Sequence, residues 1–187
     1  DTITNKASNN GITSSIIEEA KVLYKCIAEK KISRGANRKG IIAACIYKAC
    51  KIKNVPRSHK EIAAIFNIEA KHMTRGCKRF DTIMSAVEHQ NNGYILSSTN
   101  SSNFIPRFCS KLKINDYITN ICIFICNKAE NLIIVSENTP PSIASGCIYL
   151  VITLFNLKIS KKDVSNICKI SEVTISKCYQ KLSELEN

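Results

Sequence analysis

Apolar residues recur every three or four positions through most of the chain. Ile16, Ala20, Leu23 and Ile27 keep that spacing, and so do Ile42, Cys45, Ile46 and Ala49. A period near 3.6 residues gathers each set on one face of a helix. The runs "AACIY" (Ala43 to Tyr47) and "SGCIY" (Ser145 to Tyr149) are small or apolar nearly all round. That pattern predicts a central, buried helix that its neighbours cross closely. Ile114 to Ile134 reads as a counterpart of the first helix.

The stretch "SHKEIAAIFNIEAKHMTRGCKRF", Ser58 to Phe80, carries finer signals. Ser58 with Glu61 is a capping-box pair, in which each side chain satisfies a backbone donor of the other residue. Pro56 just upstream stops any helix from running in. A break follows Phe66, and a second helix is predicted from near Ala70. Helix, turn of about three residues and helix make the layout of a helix-turn-helix. The bland reading is two packed helices that never meet a nucleic acid.

"SKKDVSNICKISEVTISKCYQKL", Ser160 to Leu182, is a second version of the same text, its second helix starting near Ser171. A shift of 102 positions lays one on the other without a gap. Ser58 falls on Ser160, Lys60 on Lys162, Glu61 on Asp163, Ile65 on Ile167 and Ile68 on Ile170; Arg75 meets Lys177 and Phe80 meets Leu182. The same shift superposes "AACIY" and "SGCIY". One offset serving separate segments is the mark of an internal duplication. Asp163 is shorter than Glu, so the second capping box is expected to be the poorer one. "EHQNNGYILSSTNSSN" (Glu88 to Asn103) reads as a linker, and "FIPRFCSKLK" (Phe104 to Lys113) as a short helix closing the first repeat. The expected domains are therefore residues 12–112 and 113–187.

Charge changes the picture. The 187 residues carry a net +12, which points to an anionic partner. Residues 1–112 hold 19 Lys+Arg against 8 Asp+Glu, and residues 113–187 hold 8 against 7. All six Arg lie in the first part. A solvated basic surface alone would not be so lopsided.

The ten cysteines sit among Ala and Ile, as in "AACIYKAC" and "ICIFIC", with no CxxC. Such thiols pack as small hydrophobes. Three His in no ligand-type spacing give no zinc site. No Gly-rich phosphate loop, metal cluster or acid–base pair stands out, so an enzyme is not expected. No run of 18 or more apolar residues and no signal segment appears. The expectation is a soluble, intracellular, membrane-free monomer, and the missing initial Met fits a fragment of a longer protein.

At these residues the chain resembles the core domain of transcription factor IIB and its archaeal relatives. The carrying motifs are "RGANRKGIIAACIYKAC" (Arg34 to Cys50), "VPRSHKEIAAIFNI" (Val55 to Ile68), "FIPRFCSKL" (Phe104 to Leu112), "PPSIASGCIYLV" (Pro140 to Val151) and the Ser160 to Leu182 stretch with its "EVTI". They run in family order over roughly residues 13–185. The resemblance implies an all-α fold of two cyclin-like five-helix repeats. It implies an initiation factor core that clamps the complex of TATA-binding protein with promoter DNA, flanking the TATA box. That core bridges the complex to a multisubunit RNA polymerase. The family's zinc ribbon and reader segment lie upstream of the core, so no cofactor is expected in this chain. The Ile-, Asn- and Lys-rich composition fits a divergent or viral member, acting in the nucleus or a viral transcription compartment.

Carried over by position, the downstream minor-groove contact falls on Thr74 and Arg75. An Arg suits a narrow, A·T-rich groove of strong negative potential. Lys71, His72 and Lys78 flank it, placed for phosphates. In the second repeat the upstream, major-groove element falls on Val173 and Thr174. Ser176 departs from the family members that read this element strongly, which carry Arg there, and Lys177 beside it offers a phosphate contact. Arg107, Lys111 and Lys113 match the surface that meets an acidic loop of TATA-binding protein. Arg57 either contacts phosphate or braces its loop. With Asn187 following so soon on the helix of the second helix-turn-helix, the second repeat is expected to lack its fifth helix. The competing reading is a cyclin-like adaptor, which binds a kinase or another protein through an apolar face.

Overall fold

A computed structural model describes residues 2–30, 34–88, 99–131 and 137–184. The described residues are helical with short connections. They fall into two compact units, Asp1–Ser98 and Thr99–Asn187.

In the first unit α1 (Thr2–Ser8) precedes α2 (Ser14–Lys30), α3 (Gly35–Ile52), α4 (His59–Phe66) and α5 (Ala70–Glu88). Helix α3 is the central element: Ile41, Ala43, Ala44, Cys45, Ile46, Ala49 and Cys50 are all buried. Around it close Ile16, Leu23 and Ile27 of α2, Ile62 of α4, and Met73 and Phe80 of α5. Each such aliphatic or aromatic side chain contributes about 1.5–3 kcal/mol by leaving water.

The second unit opens with a short 3-10 turn, Ser101–Phe104, that runs into α6 (Ile105–Lys111). Then come α7 (Asp116–Asn131), α8 (Pro140–Leu154), α9 (Lys161–Cys168) and α10 (Glu172–Ser183). Its core gathers Phe104, Ile105 and Phe108 with Cys122, Cys126, Ile148, Val151, Ile175 and Leu182. Each unit thus has five α-helices among the described residues.

This arrangement revises two expectations. The segment Phe104–Lys111 packs in the core of the second unit instead of closing the first, because Phe104, Ile105 and Phe108 are sealed against α7 and α8 there. The units therefore meet between Ser98 and Thr99 and not after Leu112. The second unit is also not short of a helix, since its fifth is α10 and its first is α6. Of the expected linker, residues 89–98 lie outside the described residues, as do residues 132–136 of the Ile114–Ile134 stretch.

The backbone repeats with the same 102-residue period. Left-handed conformations occur at Gly11 and Lys113, at Asn54 and Asn156, and at Asn67 and Lys169. The last pair forms the turn inside each helix-turn-helix, closing α4 and α9. Both capping boxes are complete. The Ser58 amide donates to Glu61 Oε2 at 2.8 Å, and the Glu61 amide to Ser58 Oγ at 3.2 Å. In the second unit the corresponding distances are 2.9 and 3.1 Å. Asp163 therefore caps as well as Glu61 does, and the Ser160 hydroxyl and then its amide, both donating to the Asp163 carboxylate, hold that carboxyl below the usual range.

The cysteines of both units are free, and nine of the ten are buried. Burial pushes the thiol of Cys77 up to about 11. Among the described residues no helix is long and apolar enough to cross a membrane, and no cluster of three or more potential metal ligands forms.

Candidate nucleic-acid interface

Helix α5 buries Met73, Cys77, Phe80 and Met84 and turns the opposite side to solvent. Lys71, Thr74, Arg75 and Lys78, spaced at i, i+3, i+4 and i+7, are exposed together on that side. Neither Arg75 nor Lys78 forms an ion pair among the described residues. Lys71 pairs with Glu69 at 2.7 Å, an exposed contact that water and salt weaken readily. That bond holds the Glu69 carboxyl below its ordinary value. Thr74 donates its hydroxyl to the Ala70 carbonyl at 3.1 Å. His72 lies half-buried at the edge of the stripe.

Two contacts fix the position of this stripe. Gly40 of α3 and Gly76 of α5 bring their backbones so close that a Cβ at Gly76 would overlap the Gly40 carbonyl. Further along both helices, Lys48 of α3 reaches Asp81 of α5 at 2.5 Å, with the Phe80 ring 5.4 Å from its ammonium. Arg57 is buried, and its guanidinium donates to the Gly11 carbonyl at 2.9 Å. It braces the turn between α1 and α2, which resolves the alternative left open by its sequence position.

Helix α10 repeats the arrangement with less charge. Val173, Lys177 and Gln180 occupy the positions 102 residues after Lys71, Arg75 and Lys78, and all three are exposed. At these three positions the three cations of α5 become one on α10. Thr174 and Ser176 are half-buried on its flanks. The Ser171 hydroxyl accepts from the Thr174 amide at 3.2 Å and shares a 2.7 Å bond with its hydroxyl. Thr174 is thus partly spent on starting the helix. Ser176 accepts a hydrogen bond from the Lys161 ammonium at 2.8 Å.

Arg107, Lys111 and Lys113 lie together on α6 and the residues that close it. Arg107 is half-buried, its guanidinium 4.8 Å from the Phe108 ring centre and 6.0 Å from that of Phe104. Lys111 and Lys113 are exposed, the latter in the left-handed conformation that Gly11 holds in the first unit. With the units divided at Ser98, this trio belongs to the second unit. Unit one then carries 17 Lys+Arg against 8 Asp+Glu, a net +9, and unit two 10 against 7, a net +3.

Gln180 and Lys161 were not foreseen as site residues. The repeat could have pointed to Gln180, since Lys78 maps onto it. Nothing along the chain pairs Lys161 with Ser176.

Two five-helix units, each ending in a capped helix-turn-helix, define a duplicated all-α protein with paired helix-turn-helix motifs. The family model "Transcription factor TFIIB repeat" matches residues 1–83 and 96–185. The chain belongs to that family, and its two units are the cyclin-like repeats. It is similar to a transcription initiation factor IIB-like protein of Acanthamoeba polyphaga mimivirus, at 38% identity over 94% of this chain and 41% of that protein. Transcription initiation factor IIB of Encephalitozoon cuniculi is 34% identical over 96% and 55% respectively. That of Archaeoglobus fulgidus is 32% identical over 95% and 52%. The chain spans about half the length of the curated relatives it matches.

Proposed function

We propose that this chain is the promoter-binding core of a transcription initiation factor of the IIB type, acting in a nucleus or a viral transcription compartment. It holds DNA on both sides of a TATA box, contacts TATA-binding protein, and so helps to place a multisubunit RNA polymerase. It acts by binding and positioning, with no reaction of its own. The observation that carries the proposal is the exposed stripe of Lys71, Arg75 and Lys78 on the second helix of a helix-turn-helix.

That stripe suits a phosphate backbone, where each neutralised charge releases a counterion and makes affinity fall with salt. Arg75, flanked by Thr74, is the minor-groove contact, and Lys71, His72 and Lys78 serve the phosphates beside it. The sparser face of Val173, Thr174, Ser176 and Lys177 meets the upstream flank with less help from charge. Arg107, Lys111 and Lys113 form the surface for an acidic loop of TATA-binding protein. Neither surface binds tightly alone; joined in one chain they raise each other's effective concentration.

The test is a gel shift on a TATA duplex with this protein, TATA-binding protein and both, at about 50 and 200 mM salt. A slower, salt-sensitive band only with both proteins is expected. Absence of any ternary band would overturn the proposal.

The runner-up is a cyclin-like adaptor for a kinase or other protein. It is favoured by Tyr117 and Phe124, 70% and 68% exposed on α7. These aromatics are spaced at i, i+7 on one helical face, as a protein partner would require. Capture of a kinase, with no ternary DNA complex, would favour it.

A further inference from the structure

We propose that Lys161 is a base-reading residue of the second helix-turn-helix, which takes a guanine in the major groove upstream of the TATA box. This rests on the function proposed above and deepens it. Lys161 is the first residue of α9, yet its ammonium crosses to α10 and donates to Ser176 Oγ at 2.8 Å. The Tyr149 ring centre lies 5.2 Å from that ammonium, and Tyr149 in turn packs edge-on against Tyr179 at 5.4 Å. A lysine ammonium is normally a mobile charge on a flexible stem. Here Ser176 of α10 and Tyr149 of α8, the latter backed by Tyr179, hold it against the flank of the helix that would enter the groove.

The location matters because residues in the first half of the second helix reach base edges in this motif. Ser176 is the fifth residue of α10, half-buried, and brings no cation of its own. Lys161 supplies one at the same place. An ammonium has three donors. With one spent on Ser176, two remain, which matches the two acceptors, O6 and N7, that guanine displays in the major groove. Adenine presents N7 next to an amino donor, which repels a cation. The ammonium therefore selects guanine.

The first unit shows what the arrangement is without this role. There His59 and Tyr47 hold the positions of Lys161 and Tyr149, and their rings pack tilted at 48° with centres 4.4 Å apart. Thr74, at the position of Ser176, turns its hydroxyl back to the Ala70 carbonyl. Among the described residues no basic nitrogen is bonded to it. Among the described residues the bridge occurs in the second repeat, on the α10 face where Lys177 is the central cation.

The experiment measures affinity for TATA-binding protein on duplexes with guanine, 7-deazaguanine or adenine at each upstream base pair in turn. Fluorescence anisotropy serves as the readout. The wild-type chain is expected to prefer guanine at one position by about 5- to 10-fold. Replacing N7 there, or Lys161→Gln, removes the preference, while Lys161→Arg restores it through a forked contact. Lys177→Gln should weaken all duplexes alike. A uniform loss with Lys161→Gln would assign the residue to a phosphate and overturn the inference, as would a wild-type chain indifferent to guanine. If no ternary complex forms on any duplex, the initiation-factor proposal itself falls, and this inference with it.

Discussion

Gly76 on α5 lies against Gly40 on α3 so closely that neither position has room for a side chain. A Cβ on Gly40 would come 2.8 Å from the His72 carbonyl oxygen, and one on Gly76 would overlap the Gly40 carbonyl. The second unit uses the same device one turn along: Gly146 of α8 faces Cys178 of α10, where an added Cβ would fall 2.5 Å from the Cys178 Cβ. In each unit the crossing fixes the helix that carries the proposed DNA face, since Arg75 is the residue before Gly76 and Lys177 the residue before Cys178.

Gly76→Ala should therefore cost about 3 kcal/mol, the upper part of the range for overpacking, because backbone and not a flexible side chain must give way. Chemical denaturation measures it. The loss should be accompanied by weaker DNA binding, since α5 must move to admit the methyl group.

Arg75→Ala should weaken the ternary complex with TATA-binding protein and DNA by about 1–3 kcal/mol while leaving the melting temperature unchanged. The residue is exposed and makes no ion pair among the described residues, so the fold does not depend on it. Lys78→Ala should lower affinity on all duplexes alike and reduce the salt slope by about one unit. An unchanged ternary affinity for Arg75→Ala would remove that residue from the interface.

Much of this was legible along the chain. The capping boxes at Ser58 and Ser160, the central helices with their small residues, and the 102-residue register follow from local chemistry, which folding preserves. The start of each repeat was harder to see. Helix α1, "TITNKAS", has few apolar residues, and Ala7 is its one small core contact among the described side chains. The shift of 102 already placed Ile3 on Ile105, Ala7 on Cys109 and Ser8 on Ser110, and following it back would have assigned α6 to the second repeat. The contacts of Lys161 with Ser176 and of Lys48 with Asp81 span 15 and 33 residues. They depend on how helices cross, which no local pattern encodes.

The Lys48–Asp81 pair gives an asymmetric prediction. Lys48 keeps only 10% of its side chain in water, whereas Asp81 keeps 54%. Asp81→Ala strands a buried ammonium and should cost about 2 kcal/mol, below the range for fully buried pairs because half of the Asp81 carboxylate is already solvated. Lys48→Met should cost less, since it removes the charge along with its desolvation. The second unit supports this, with buried Leu150 standing where Lys48 stands in the first. Equal losses in both variants would show that the ion pair itself carries the stability.

The last prediction concerns pH. Partial desolvation of the His59 ring where it packs on Tyr47, though the residue stays exposed on its other side, holds its pKa below the ordinary 6.5 with help from Lys48 and Lys51, while Asp81 pulls the other way. The ring rests against Tyr47 at 4.4 Å, and its Nε2 lies 3.7 Å from the Cys77 sulfur. The fold therefore favours the neutral form. Above 6.5 both folded and unfolded chains hold His59 neutral and its full contribution is present. As pH falls through that value the unfolded chain takes up a proton that the folded one resists, so stability drops. Thermal melting of the first unit at about pH 7.5 and about pH 5.5 brackets this window. The wild-type chain should lose more stability on acidification than His59→Phe, which keeps an aromatic ring against Tyr47 and has nothing to protonate. Equal losses would mean that the proton finds another partner in the folded unit and that His59 is not held neutral there.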